Sequence, residues 1–297
     1  MDKRTLAVMA ALGATAIYGV NHTIAKEVMP HYIQPYGFIL LRVMGATVLF
    51  WGIGLSGPKE KIAPGDWGRI IACSFFGMVL NMLSFFKGLS LTTPINSSVL
   101  MTITPILVLI LSALLIKEKI SRLKAAGVVV GLVGAVTLVL YGAESHQDAA
   151  NIALGNGLIF LNATAYGIYL IMVKPLTGKY HPFTLLKWLF LISIFFNLPF
   201  SLSEFNEIAW RTFPIPIVLK VIFVVIGTTF FTYLFNIYAL KQLKASTLSV
   251  FMYLQPLIAT AYAISVGSDR LSAVKIIAAL LVFLGVYWVT KRHKTVS

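Results

Sequence analysis

The sequence predicts an all-α membrane protein whose ten transmembrane helices form two inverted repeats of five helices each. Composition is the first observation behind this prediction: 58% of the 297 residues are hydrophobic and 11% are charged, which is too apolar for a soluble domain. The second is that the apolar residues form ten runs of about 17 to 25 residues, each long enough to cross a hydrocarbon core about 30 Å thick. The third is an internal repeat.

The first five runs belong to residues 1–148 and the last five to residues 149–297. The longest segments between runs, 142–153 and 203–218, are too short to fold independently, so a single membrane domain over 1–297 is expected. The first run could be misread as a secretory signal, but its counterpart in the sixth run favours a helix. In order, the runs cover 6–29, 35–55, 69–89, 94–116, 123–141, 154–176, 182–202, 219–240, 245–266 and 273–290.

The repeat appears as identical residues at a constant separation. Seven residues recur 151 positions later without a gap, and three residues of the first run recur 148 positions later in the sixth. Because each half has an odd number of runs, the second half enters the membrane from the opposite side, as in many secondary transporters. The pairs are Ser98/Ser249, Val99/Val250, Met101/Met252, Pro105/Pro256, Ser121/Ser272, Lys124/Lys275, Gly134/Gly285, Tyr18/Tyr166, Gly19/Gly167 and Lys26/Lys174.

Pro105 and Pro256 occupy equivalent places in the fourth and ninth runs. Proline has no N–H, so Pro105 cannot donate to the carbonyl of Met101, nor Pro256 to that of Met252, and each helix is expected to kink there. Lipid offers no donor, so the freed carbonyl must be satisfied by protein or by water in a cavity. Either kink alone could be structural, but their symmetric occurrence favours a cavity.

Lys and Arg residues are unevenly distributed between the two sides of the predicted bundle. The formal charge of +14 would suggest nucleic-acid binding in a soluble protein, but the positive-inside rule explains it here and no nucleic-acid partner is expected. With a cytoplasmic N-terminus, 17 of the 24 Lys and Arg residues fall on the cytoplasmic side. Both termini are therefore predicted to be cytoplasmic, in a multi-pass protein of the cell (inner) membrane.

Polar residues form stripes on six of the runs, at the spacings that place side chains on one helix face. Any one Asn or Tyr could simply make an interhelical hydrogen bond worth about 0.6 kcal/mol. Six inward-facing stripes together favour a hydrated cavity for a small-molecule substrate. The candidate substrate-binding residues are Tyr18, Asn21, His22, Asn81, Lys87, Ser98, Thr102, Asn162, Tyr166, Tyr169, Tyr233, Asn236, Tyr253 and Gln255.

Ionisable residues near the runs are functional candidates, because burying a charge is costly. Lys87, near the outer end of the third run, is expected to reach the cavity mouth or to snorkel to headgroups. Arg42, inside the second run, is expected to pair with a carboxylate or to snorkel. Glu118 and Asp269 lie among cations at helix ends. Each could act as a gate or cap, or could belong to an ordinary solvated helix end. His22 could titrate near neutral pH or remain neutral and hydrogen-bonded.

Segments spread over nearly the whole chain resemble the EamA-like members of the drug/metabolite transporter superfamily. The resemblance implies a ten-helix bundle that moves small molecules by alternating access, often outward, with a cavity lined by the first, third, fourth, sixth, eighth and ninth helices. Tyr18 stands where a tryptophan is common in the family, and Asp269 replaces the usual glutamate. The segments that resemble the family are YGVNHTIAK, GLSLTTPINSSVLMTITPILVLILSALLIKEKIS with Pro105 and Glu118, GVVVGLVGAV, and YALKQLKASTLSVFMYLQPLIATAYAISVGSDRLS with Pro256.

The sequence thus predicts a secondary-active transporter that exports small metabolites. No carboxylate lies in the middle of a run, and Lys87 favours a carboxylate or zwitterion, such as an amino acid, over a lipophilic cation. A channel or membrane receptor is the alternative. An intramembrane enzyme is less favoured, since the sequence has no HExxH motif and no Ser-His-Asp set at midplane depth. With Cys73 as the single cysteine, no metal or cofactor is expected, and the pattern does not specify the oligomeric state.

The predicted topology can be tested by cysteine labelling. In a chain carrying Cys73→Ala, we expect Ser297→Cys to escape a membrane-impermeant maleimide added outside intact cells, because the positive-inside rule places the C-terminus in the cytoplasm. The same variant should be labelled after permeabilisation. Equal labelling before and after permeabilisation would reverse the topology.

Overall fold

The computed structural model describes residues 2–54, 57–92, 97, 100–142, 151–265 and 272–290, and every regular element within these residues is helical. The predicted all-α fold is confirmed. We number the helices α1 to α10: α1 Lys3–Val28, α2 Pro35–Gly54, α3 Pro64–Leu91, α4 Thr104–Leu115, α5 Arg122–Gly142, α6 Ile152–Lys179, α7 Pro182–Asn206, α8 Ile215–Gln242, α9 245–265 and α10 Ala273–Thr290.

Several helices have the length and hydropathy of membrane spans. Within the described residues, α2, α3, α6, α7, α8 and α10 have at least 18 residues and enough apolar character to cross a bilayer. α4 and the Ala245–Ile258 part of α9 are shorter apolar helices. These helices identify a multi-pass membrane protein, and the count of ten spans stays a prediction.

Helices at corresponding places in the two halves pack in corresponding ways. The most extensive contacts join α5 to α10 and α2 to α7, which are the fifth and the second helix of each half. The third helix of each half packs on the first helix of the other half, α3 on α6 and α8 on α1. The fourth helices do the same, α4 on α6 and α9 on α1. This pattern is expected of two similar halves that share one core; their inversion across the membrane stays a prediction.

The two prolines begin helical segments. α4 starts at Thr104, after a turn at residues 102–103, and Pro105 lies in its first turn. In α9, a short 3₁₀ segment, Phe251–Tyr253, separates Ala245–Val250 from Leu254–Ser265, and Pro256 lies in the first turn of the last segment. Proline is well accommodated in a first turn, where its missing N–H has no intrahelical acceptor. Instead of the expected kink within an uninterrupted helix, regular helix is interrupted at equivalent places in both halves.

Two helices contain π-helical segments that the sequence did not predict. They are Phe75–Leu80 in α3 and Phe223–Phe231 in α8, the third helix of each half. A π-helical segment shifts the hydrogen-bond register and often occurs at functional sites. In α3, the carbonyl oxygen of Gly77 accepts a hydrogen bond from the Tyr233 hydroxyl at 2.9 Å. An irregular turn in one half is thus bound to the other half.

The ends of the described chain lie on one side of the bundle. The Arg4 side chain, in the first turn of α1, donates from Nη2 to the carbonyl oxygen of Thr290, the last residue of α10, at 2.6 Å. An even number of membrane crossings would bring the two ends together in this way. Whether that side is the cytoplasm stays a prediction.

Glycines allow α5 and α10 to approach closely. A Cβ atom added to Gly285 would lie 2.6 Å from the oxygen of Gly127 and 2.6 Å from the nitrogen of Gly131. Gly127 and Gly131 have the small-xxx-small spacing that permits backbone contact between membrane helices. The interface therefore has no room for a side chain at these positions.

Replacing Gly285 should destabilise the fold. We expect Gly285→Ala to lower the stability of the detergent-solubilised protein by about 1 to 3 kcal/mol, because the added methyl group forces apart two backbones. Gly157→Ala is the matched control, since Gly157 is an exposed glycine of α6 with no neighbouring atom within 4 Å of an added Cβ. Its midpoint of thermal unfolding should be unchanged or higher. Equal midpoints for the two variants would contradict this account of the interface.

Candidate functional site

A central cavity lies between the two halves. It measures about 800 Å³, counted with its opening to solvent, and is lined by residues of α1, α2, α3, α6, α8 and α9, together with Met101 just before α4. Eight of the predicted substrate-binding residues line it: Tyr18, Asn21, Asn81, Asn162, Tyr166, Tyr233, Asn236 and Gln255.

Arg42 lines the cavity, in contrast to the expectation that it pairs with a carboxylate or snorkels. Its side chain is 4% exposed and lines the cavity, so it does not snorkel to the membrane surface. Nε donates to the Thr229 hydroxyl at 2.9 Å, and Cζ lies 4.9 Å from the centre of the Phe86 ring. No carboxylate of the described residues forms an ion pair with it. The signal was present, since a single cation deep in an apolar run is itself a functional indicator.

Two asparagines hold α3 and α6 together at the cavity wall. Asn162 donates from Nδ2 to the backbone oxygen of Asn81 at 2.8 Å, and Asn81 donates back to the backbone oxygen of Asn162 at 3.5 Å. This leaves Oδ1 of Asn162 without a donor among the described residues, and the same holds for Oδ1 of Asn21 on α1. Buried polar atoms normally have partners, so these two oxygens are unsatisfied acceptors in the cavity wall.

The rest of the lining is divided between hydroxyl, amide and apolar groups. Asn236 donates from Nδ2 to the Tyr166 hydroxyl at 3.2 Å. Besides Arg42, the lining residues that the sequence did not predict are Thr15, Ser249, Met82, Phe85, Phe86, Met101, Leu170, Leu248 and Met252. The cavity thus combines one cation and several neutral polar groups with an apolar surface, as small-molecule sites commonly do.

Four predicted residues lie outside the cavity. Tyr169 and Tyr253 are fully buried, and they pack over Gly77 and Gly131 respectively. Thr102 is also buried away from the lining. Lys87 is exposed, and its ammonium lies 6.0 Å from the centre of the Tyr36 ring.

Three further candidates cannot be compared with the cavity. Ser98 and Asp269 lie outside the described residues, and so does the side chain of His22, although its place in α1 is described.

Sequence relationships agree with this architecture. A model of the EamA-like transporter family matches residues 5–140 and, a second time, residues 153–291. The chain belongs to the EamA-like transporter family. Each match covers one of the two halves separated by the 142–153 segment.

Relatives of this EamA-family chain are named as transporters. The chain is 27% identical to an uncharacterized transporter of Archaeoglobus fulgidus over 262 aligned residues. The alignment covers 88% of this chain and 91% of the relative. The chain is 23% identical to the uncharacterized transporter YyaM of Bacillus subtilis, over 93% of this chain and 90% of the relative. These names indicate a membrane transporter rather than an enzyme.

A solved crystal structure has the same fold. It matches the chain with a TM-score of 0.77 at 18% identity, covering 97% of this chain and 98% of the solved one. At this identity the match establishes the fold alone.

A polar cluster joins the two halves at the end of the EamA-family bundle where α4 ends and α9 begins. Oε1 of Glu118 lies 2.6 Å from Nζ of Lys124 and accepts a hydrogen bond from the Ser246 hydroxyl at 2.5 Å. Lys124 also donates to the Ser246 hydroxyl, and Nζ of Lys244 lies 3.9 Å from Glu118. Glu118 therefore binds the segment after α4 to the first turn of α9, as either a cap or a gate would.

Hydration of the cavity can be tested by thiol reactivity. In the Cys73→Ala background, we expect Met252→Cys to react much faster with a hydrophilic maleimide than Met78→Cys, because Met252 lines the cavity and Met78 is fully buried elsewhere. The measurement is the labelling rate in solubilised protein, with the unfolded variants as a common reference. Equal slow rates would show that the cavity is dry.

Proposed function

We propose that this EamA-family protein is a secondary-active transporter that exports amino acids or related carboxylate or zwitterionic metabolites across the cell (inner) membrane by alternating access. Both termini are placed in the cytoplasm in this proposal, and the substrate is bound between the two inverted repeats.

The observation that carries the proposal is the buried Arg42. Transferring a guanidinium from water to a low-dielectric site is unfavourable unless another charge and hydrogen bonds compensate. Thr229 and the Phe86 ring supply a neutral acceptor and a π face, and no described carboxylate completes the pair. A substrate carboxylate could accept two parallel hydrogen bonds from the planar guanidinium, which makes it the best-matched ligand group.

The remaining lining suits the rest of such a molecule. Asn21 and Asn162 line the cavity with unsatisfied amide oxygens, and a change of side-chain rotamer would present such an oxygen to an ammonium or hydroxyl group. Methionine and phenylalanine side chains offer an apolar surface for a hydrocarbon part. Among the described residues, no carboxylate lines the cavity, so a lipophilic cation would find no counter-charge and would meet Arg42.

Alternating access is supported by where the two halves touch. Interruptions before Pro105 and near Pro256 lie at equivalent places on helices that border the cavity. The Glu118, Lys124 and Ser246 cluster is a polar contact between the halves at one end of the bundle. Opening that end requires the halves to separate there, and this would expose to water the Lys124 and Glu118 side chains, which are 10% and 5% exposed in the closed cluster.

Arg42 variants test the proposed substrate class. In proteoliposomes, we expect Arg42→Gln to lower the uptake of carboxylate or amino-acid substrates by about tenfold or more, because loss of a buried cation leaves the substrate anion desolvated and unpaired. Arg42→Lys should be intermediate, since an ammonium keeps the charge without the planar fork. The measurement is initial rate against substrate concentration for a panel of labelled amino acids and monocarboxylates.

Lys87→Gln is the matched control, since it removes one cation from an exposed site outside the cavity. It should transport like the wild type. Uphill accumulation driven by counterflow distinguishes a carrier from a channel or a receptor. Unchanged transport by Arg42→Gln, with wild-type thermal stability, would remove the argument for an anionic or zwitterionic substrate.

A further inference from the structure

A second concave surface lies on the outside of the bundle, away from the central cavity. This outer groove is bordered by the first turns of α1, the start of α7 and the last turns of α8, and it measures about 1100 Å³ counted with its open side. Its walls are apolar side chains, among them Leu6 and Met9 of α1 with Phe235 of α8. Met9 is 54% exposed. In a membrane these side chains face lipid.

One end of the outer groove is cationic. Lys241, in the last turn of α8, and His181, immediately before α7, are the basic residues of its lining, and no acidic residue lines it. From Lys241 back to Phe235, the groove follows α8 for about two turns, or roughly 10 Å. That depth reaches from a headgroup layer into the first part of the acyl chains.

His181 is held in a fixed orientation with one ring nitrogen unused. Its ring stacks on Phe183 with centroids 5.7 Å apart and an interplanar angle of 14°. Its backbone N–H donates to the Glu60 carboxylate at 2.7 Å, whereas Nδ1 is buried without a partner among the described residues. An imidazole N–H donates hydrogen bonds, so the His181 side chain, which lines the groove, can donate to a phosphate oxygen there.

We propose that the outer groove binds an anionic phospholipid from the leaflet that faces the Lys- and Arg-rich end of the bundle. The phosphate lies against Lys241 and His181, and the acyl chains lie along the apolar walls formed by α1 and α8. Basic pockets between membrane helices are known to recognise anionic headgroups, and a nearby Lys or Arg contributes to this attraction. The site is independent of the proposed substrate, because no residue of the outer groove lines the central cavity.

Competition between two lipids tests the site. Purified full-length protein is mixed with equal amounts of phosphatidylglycerol and phosphatidylcholine that carry the same acyl chains, and retained lipid is counted by native mass spectrometry. We expect the wild type to retain phosphatidylglycerol preferentially and Lys241→Gln to reduce that preference by about fivefold. Lys119→Gln is the matched control, because Lys119 is an exposed lysine outside the groove, and it should behave as wild type.

A second variant tests the apolar walls. Met9→Trp places a bulky ring in the groove, so it should reduce retention of both lipids while leaving the midpoint of thermal unfolding near that of wild type. Equal retention of the two lipids by the wild type would show only general contact with the bilayer and overturn the proposal. An undiminished preference in Lys241→Gln, or full displacement of the lipid by inorganic phosphate, would overturn it as well.

Discussion

The constraint on which this structure depends is that a backbone N–H or C=O in the hydrocarbon core must find its partner within the protein. Continuous helix meets this requirement for most of the described chain. Prolines inside α6 and α7, Pro175 and Pro199, each remove one backbone donor. Larger departures are the π-helical segments of α3 and α8 and the interruptions near Pro105 and Pro256, and these four are in or next to helices that border the central cavity. There, side chains of the opposite half and water can supply partners, as the Tyr233 hydroxyl does for Gly77.

The helices that border the cavity were predictable because polar residues recur on them at helical spacing. Tyr18 and Asn21 are three residues apart on α1, and both line the cavity. Lys87 was one of the predicted cavity residues of α3, but each residue turns a helix by about 100°. Counted from Asn81, the lining residues Met82, Phe85 and Phe86 lie at about 100°, 40° and 140°, whereas Lys87 lies at about 240°, roughly opposite the middle of that face. The spacing of polar residues predicted that α3 borders the cavity, but Lys87 lies on the side of α3 that faces away from it.

Arg42 and the two displaced tyrosines show what periodicity does not encode. Most of α2 packs on α7, and a cation inside its apolar sequence marks Arg42 as a functional candidate without revealing that this position turns toward the cavity. Tyr169 and Tyr253 belong to the polar stripes, but a tyrosine is mostly apolar ring and can be buried as packing. The Tyr169 ring packs over Gly77 of α3, and the Tyr253 ring packs over Gly131 of α5. These positions are determined by the partner helix, which a single sequence does not display.

The pairing of helices across the halves also has a consequence for biosynthesis. α1 packs chiefly on α8 and α9, α2 on α7, α3 on α6 and α5 on α10, so the native neighbours of the first five helices are translated after them. Until then Arg42 lacks Thr229 and Asn81 lacks Asn162. A nascent chain halted at mid-length would hold these polar groups in lipid without their partners. The first half therefore remains an unassembled intermediate in the translocon or the bilayer, and the contact between Arg4 and Thr290 forms only after α10 has been made.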